Sequence, residues 1–175
     1  LLNRSNKVMY DLYSQSAFDT FTGAAVSGPL LVAGVVLDQN SVSVTTWGEW
    51  KREHPGTTIV AEDGGIGRSY PDDPLDGRDD NGPIVPIGDA DPRLPVQEPV
   101  VGVLLADGTT LAFPAGLARS ALAAGDPVEL RGVSLADDGG GLLASVDGAE
   151  VGTHEAFWFA WSQFHPDTLL WPVDG

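Results

Sequence analysis

Glycine and proline punctuate this chain too closely for long helices. Twenty-two glycines and thirteen prolines are spread through 175 residues, and each weakens or breaks a regular helix. Many short strands joined by turns satisfy that constraint. The expected fold is mainly β, a β-rich α+β arrangement. Residues 30–37 and 41–46 read as two strands around Asp38, Gln39 and Asn40. Residues 100–105 and 110–113 flank Ala106-Asp107-Gly108-Thr109, a hairpin signal because Asp-Gly tolerates positive φ. Residues 128–133 and 142–146 flank Asp137-Asp138-Gly139-Gly140-Gly141, a second hairpin candidate. Helical signals are few. Residues 115–124 are Ala/Leu-rich and end at Gly125, a suitable C-terminal glycine.

Two segments repeat one pattern. Trp47-Gly48-Glu49-Trp50-Lys51-Arg52-Glu53-His54-Pro55-Gly56-Thr57 and Trp158-Phe159-Ala160-Trp161-Ser162-Gln163-Phe164-His165-Pro166-Asp167-Thr168 both read W-x-x-W-x-x-x-H-P-x-T. The match has no gap, and it takes four of the five tryptophans in the chain. An apolar pair follows each copy, Ile59-Val60 and Leu169-Leu170. This predicts an internal duplication. Two half-repeats, residues 1–60 and 100–175, are expected to share one core, with short Trp-bearing helices packed on the sheets. Tryptophans at i and i+3 lie on one helical face. Proline after histidine stops the helix, which places His54 and His165 at helix C-termini. A capping or packing role for these histidines takes precedence over a paired site across the repeat interface. Trp47, Trp50, Trp158 and Trp161 read as core anchors before they read as a sugar-stacking platform.

Between the halves, residues 61–99 hold seven prolines, six glycines and ten acids against three arginines. Such a connection is functional or a linker. Asp72, Asp73, Asp76, Asp79 and Asp80 offer hard oxygen ligands that suit Ca²⁺. Pro74 and Arg78 break the register of an EF-hand loop, so a solvated acidic loop is the preferred reading over a calcium site.

The charge balance narrows the partners. Twenty-five acids against nine Lys and Arg give a net charge of −16. Nucleic acid needs clustered cations on the protein, and an anionic membrane surface needs the same; neither is expected. Adaptation to high salt explains the acidity better than cation binding. Cysteine is absent, which excludes disulfides and thiolate chemistry within these residues. The longest apolar run, 30–37, is far below the ~20 residues of a membrane span. No signal peptide opens the sequence at Asn3, Arg4, Ser5, Asn6 and Lys7. No G-x-S-x-G, H-E-x-x-H, P-loop or helix-opening G-x-G-x-x-G occurs. The three histidines, His54, His154 and His165, have no metal-site spacing.

Several segments together resemble an uncharacterised bacterial and archaeal family, the family of unknown function numbered 3179. They are Ser5-Asn6-Lys7-Val8-Met9-Tyr10-Asp11, Gly23-Ala24-Ala25-Val26 with Gly28-Pro29, and Thr45-Thr46-Trp47-Gly48-Glu49-Trp50 with His54-Pro55. Arg68, Tyr70, Asp73 and Pro74 are similar to its R-x-Y-x-x-D-P segment. Val101-Gly102-Val103, Ala112-Phe113-Pro114 and the Trp158–Thr168 motif are similar to its later pieces. The resemblance implies an upstream Cys-Pro-x-Cys stretch, an exported setting and no established activity. Where the family has L-H-P-K-E-R, this chain has Leu94-Pro95-Val96-Gln97-Glu98-Pro99.

The expected function is a non-catalytic extracellular or cell-surface module, structural or protein-binding, of a halophilic type. The alternative is a metal- or redox-dependent enzyme whose active half lies upstream, with His54 and His165 as its remnants. If Leu1 is a truncation point, the first half-repeat lacks its opening hairpin. An exposed strand edge would then invite a partner or self-association. The acidity carries one direct expectation. Raising NaCl from about 0.1 M to about 1 M, which shortens the Debye length from about 10 Å to about 3 Å, raises the Tm in thermal melts. A Tm that falls or stays flat would remove the salt-adaptation reading.

Overall fold

The structure is a computed structural model, and it describes residues 2–3, 6–60, 67, 69, 71–72, 82–83, 86–139 and 141–174. A short antiparallel pair, β1 (Leu2–Asn3) and β2 (Asn6–Lys7), opens the chain. β3 (Met9–Tyr10), β4 (Ala17–Phe18) and β5 (Ala25–Ser27) form a three-stranded antiparallel sheet in that order. Helices α1 (Pro29–Val32) and α2 (Trp47–Glu53) follow. The second part holds β6 (Pro99–Leu104), β7 (Thr110–Pro114), α3 (Ala115–Ala124), β8 (Val128–Leu130), β9 (Val133–Asp137) and β10 (Leu142–Val146). It closes with β11 (Ala149–Val151), β12 (Thr153–Phe157), α4 (Trp158–Phe164) and β13 (Leu169–Leu170). The protein is β-rich with four short helices among the described residues, as the spacing of glycine and proline requires.

Two four-stranded sheets carry the core, ordered β11-β10-β9-β8 and β12-β6-β7-β13. The first is a meander, and two of its turns hold two residues. Arg131-Gly132 joins β8 to β9 and Asp147-Gly148 joins β10 to β11, all four residues at positive φ, the backbone that two-residue hairpins demand. In the second sheet β13 runs parallel to β7 and the other pairs are antiparallel.

The alternation of side chains on β6 and β7 builds two cores at once. Val101, Val103, Leu111 and Phe113 face one way and pack with α3 and the β8–β10 residues Val128, Leu130, Val133, Leu135, Leu142 and Ala144. Val100 and Ala112 face the other way, against Trp158, Phe159, Ala160 and Trp161 of α4. Both faces of the sheet are therefore covered, which is why β6 reads as an unbroken apolar run.

Gly102 sits at the centre of the α4 face. A Cβ built on it would lie 2.4 Å from the Trp161 ring, far inside van der Waals contact. Its cross-strand partner is Ala112. On its other side Gly102 pairs with His154 of β12, whose ring lies 6.2 Å from the same indole.

Three expectations change. Residues 30–37 do not form a strand. Pro29 stands at the first turn of α1 with its φ already helical, and the Leu30 amide donates to the Ser16 hydroxyl at 3.1 Å. Gly34, at positive φ, then turns the chain, leaving Val36 in an isolated bridge with Ala24. Residues 41–46 carry no regular structure; side-chain clips hold them to β11 and β12 instead. Residues 128–133 are split by the Arg131-Gly132 turn, and the hairpin around 137–141 joins β9 to β10.

The contact of Gly102 with Trp161 gives a sharp expectation. Gly102→Ala forces the indole or the strand to move and lowers unfolding free energy by about 1–3 kcal/mol, read from the urea midpoint. An unchanged midpoint would show that the contact has slack.

Candidate functional site

The shared residues of the W-x-x-W-x-x-x-H-P-x-T pattern build the same local structure twice. In the first copy the Trp50 indole N–H donates to the Thr57 hydroxyl at 3.0 Å. In the second Trp161 donates to Thr168 at 3.0 Å. The His54 and His165 amides each donate back to the carbonyl of the second tryptophan, at 2.8 and 2.9 Å. Each threonine amide then closes on the histidine carbonyl at 3.0 Å. The imidazoles lie on the same indoles, with ring centroids 3.9 Å apart for Trp50–His54 and 4.2 Å for Trp161–His165. Both histidines are C-cap residues with nearly the same backbone, φ −121 and ψ 64 against φ −127 and ψ 69, pushed out of the helical region by the proline that follows. Tryptophan, histidine, proline and threonine recur because together they end a helix. Beyond the motif the likeness stops among the described residues: β13 follows the second copy, and residues 57–60 form no strand.

The two copies live in opposite surroundings. Trp158 and Trp161 are both 0% exposed. The Trp158 indole N–H donates to the Asp91 carbonyl at 2.9 Å, and the Arg93 guanidinium lies 5.2 Å from that ring. Arg93 is itself held by Asp91 at 2.8 Å and donates to the Thr168 carbonyl at 2.8 Å. The first two amides of α4 donate to the Glu98 and Val96 carbonyls. Residues 91–98 thus strap the buried helix.

Helix α2 buries no residue. Trp47 is 50% and Trp50 37% exposed, and Ile59 and Val60 beyond them are more so. The helix caps itself. The Thr46 hydroxyl accepts from the Glu49 amide while the Glu49 carboxylate accepts from the Thr46 amide, a capping box. The Thr46 hydroxyl also donates to that carboxylate, and these bonds hold it below the usual carboxylate range.

The helix is placed with its polar side toward the protein. Glu49 and Arg52, with Thr45 and Thr46, line a groove of about 710 Å³ whose other wall is Arg119, Asp137, Gly139 and Gly141. Glu53 lies against Gly139. Trp47, Trp50 and His54 fall on another face by helical spacing. The segment before the helix is fixed. The Ser41 hydroxyl donates to the Val151 carbonyl, the Val44 amide donates to Glu155, and Arg119 donates to the Val44 carbonyl at 2.9 Å. Burial raises the Glu155 carboxyl above its ordinary range, against the pull of the Val44 amide and Arg119.

A second group of polar side chains lies where the three-stranded sheet meets α4. Asp19 accepts from the Phe21 and Thr22 amides at 2.9 Å, and this turn points Phe21 into the second part. The Phe21 ring meets His154, Trp161, Phe164 and His165 at centroid distances of 5.8, 5.7, 5.1 and 6.2 Å. His165 Nε2 is buried without a hydrogen-bond partner among the described residues. Burial pushes both imidazoles below their ordinary range while Asp19 pulls them up, and His154 lowers His165 further.

The sequence-predicted residues are thereby placed. Trp158, Trp161 and His165 gather in one core; Trp47, Trp50 and His54 gather on the outside. Among the described residues the His54 and His165 rings share no aromatic neighbour. Asp72 is exposed. Asp73, Asp76, Asp79 and Asp80 lie outside the described residues, and no metal-holding cluster occurs among those described. No described helix is long and apolar enough to cross a membrane. Sequence reasoning missed the company of His154, Asp19 and Phe21. They are distant in sequence, and only the Asx-type turn at Asp19 carries a local signal.

The sequence pattern of the family described as "Protein of unknown function (DUF3179)" matches residues 1–140. The chain belongs to this family. The matched stretch contains α2 and the exposed copy of the motif; the buried copy on α4 lies beyond it. No curated protein and no solved structure matches the chain.

The histidine group makes stability pH-dependent. Both imidazoles bind protons less readily folded than unfolded, so their contribution is present above the unfolded value of about 6.5. It is lost as pH falls through that value toward the lower folded one. The Tm of the wild type is therefore expected to drop between pH 7 and pH 5, and His154→Gln with His165→Gln to flatten that drop. Parallel profiles for wild type and double variant would contradict the assignment.

Proposed function

We propose that this member of the family is a non-catalytic protein-binding module, and that its docking face is the Trp47, Trp50 and His54 side of α2. The observation that carries the reading is the placement of α2. Its charged residues line a groove on the protein's own side while two tryptophans stand half exposed, the reverse of what a helix does when it serves its own core. Aromatic anchors rimmed by polar side chains on a pre-capped, pre-clipped element are what protein interfaces use. The net charge of −16 with two lysines supports a salt-rich setting for the same module, and the exported setting that the family resemblance implies favours one outside the cell. The competing reading, an enzyme with His54 and His165 as paired remnants, finds no support in their separate environments.

The test separates docking from folding. Trp161→Ala costs about 3–5 kcal/mol as a core truncation. Trp47→Ala and Trp50→Ala leave stability within about 1 kcal/mol, the worth of the Trp50–Thr57 hydrogen bond. A photoreactive phenylalanine at position 47 is expected to form protein adducts in extracts of the source cells, and one at the exposed Glu150 is not. Equal adducts from both positions, or a Trp47→Ala variant that unfolds, would remove the reading.

A further inference from the structure

Among the described residues before position 61, Phe21 alone enters a core of the second part. Ala17, Phe18 and Ala25 of the three-stranded sheet are buried too, yet they belong to neither core. Phe21 is offered by a turn that closes on itself. Asp19 Oδ1 accepts from the Phe21 and Thr22 amides at 2.9 Å and from the Thr22 hydroxyl at 3.1 Å, and the Gly23 amide returns to the Asp19 carbonyl at 3.0 Å. These bonds are local, so the turn can hold its shape whether or not Phe21 is seated.

The seat itself takes up protons. Its walls are His154 of β12, the Trp161 and Phe164 rings, and His165 at the end of α4. Among the described residues, the charges that bear on the two imidazoles are Asp19, from the β4–β5 turn, and the imidazoles themselves. Glu155, the next residue on β12, points to the opposite face of the sheet, where the Val44 amide and Arg119 hold it. Asp167 is exposed on the turn after α4. One carboxylate thus answers two imidazoles. A first proton is balanced by Asp19, and a second places like charges side by side. An imidazolium carries N–H at both ring nitrogens, and His165 Nε2 is buried with no acceptor among the described residues. Burial holds both imidazoles below their ordinary range, with Asp19 pulling the other way. Protons therefore bind better once the rings are wet, and acid favours the unseated arrangement.

We infer that Phe21 and its seat form an acid-released latch. In mild acid the imidazoles take up protons, Phe21 withdraws and the β3–β5 sheet comes free, while the two four-stranded sheets stay folded. Segment 41–46 is the tether, since its bonds to Val151, Glu155 and Arg119 involve neither histidine. Strands of two and three residues do not hold without a core beneath them, so the freed sheet frays. The latch lies apart from the α2 face and works whether or not that face docks a partner.

Hydrogen exchange read by mass spectrometry, corrected for the intrinsic rate at each pH, tests the release. The signal is the peptide spanning 9–28, and the reference is 128–146 in the other sheet. From pH 7.5 to pH 5.5 exchange in 9–28 is expected to rise at least about tenfold, as two imidazoles pass their unfolded value of about 6.5, with 128–146 still protected. Asp19→Asn keeps an acceptor for the turn and removes the charge. Its rise at pH 5.5 is expected to exceed that of the wild type, with little change at pH 7.5. Phe21→Ala is expected to free 9–28 at pH 7.5 without acid. His154→Gln with His165→Gln is expected to abolish the acid response; should that double variant not fold, the Asp19→Asn comparison decides. Equal loss of protection in 128–146, in acid or in Phe21→Ala, overturns the latch, because the parts then loosen together. No rise in 9–28, or a smaller rise in Asp19→Asn, overturns it as well. An undiminished acid response in the double variant, which keeps Glu155, assigns the response to that carboxyl and overturns the latch.

Discussion

The contact of Trp161 with Gly102 is the joint on which the second part of the molecule depends. A strand residue without a side chain lets an indole reach the backbone of the sheet. That approach sets the depth of α4, and with it the position of the strap at 91–98, of Phe21 and of β13. Glycine in a strand interior costs conformational entropy, so its presence in the middle of β6 calls for a close neighbour, and Trp161 is that neighbour. The opposite face of the same two strands carries Val101, Val103, Leu111 and Phe113 into the other core. One hairpin thus joins two cores, and a shift of its register by one residue would exchange their side chains.

The elements legible in the sequence are those whose signals are local. The Asp107-Gly108 hairpin and the Ala/Leu helix closing at Gly125 carry their own turn and cap chemistry, and both stand where the sequence puts them. The Trp-His-Pro-Thr helices were legible for the same reason: every shared residue acts within eleven positions. The run 30–37 misled because a short apolar stretch fits a strand or a buried helix equally; Pro29 and Gly34 decided the matter, and most of the run proved exposed. Arg131-Gly132 was passed over because arginine at positive φ is uncommon, although the glycine beside it makes a two-residue turn workable.

The candidate site shows a sharper limit. Spacing predicts that Trp47 and Trp50 share a helical face, and it predicts the same for Trp158 and Trp161. It cannot say which pair is buried, because burial depends on what lies across the face. The discriminating signal was in the positions around the tryptophans: Phe159, Ala160 and Phe164 against Gly48, Glu49 and Glu53. A helix apolar on every side belongs in an interior, and one apolar on a single side belongs at a boundary. Applied to the two copies, that rule separates core from surface on sequence alone.

Why α2 keeps its tryptophans at all follows from the cost of each alternative. Trp50 has a local duty, since its indole ties Thr57 and covers His54. Trp47 has no such duty. It makes no hydrogen bond among the described residues and stands half exposed, where serine or lysine would be better solvated. The caps and clips around it, from Thr46 and Glu49 to the Val44–Glu155–Arg119 bonds, spend order on a helix that adds nothing to the core. Rigid presentation of a solvent-facing indole gains nothing for folding, and it lowers the entropy lost on association. The part of the motif that its own fold does not explain is therefore Trp47, and it is the residue at the centre of the proposed docking face.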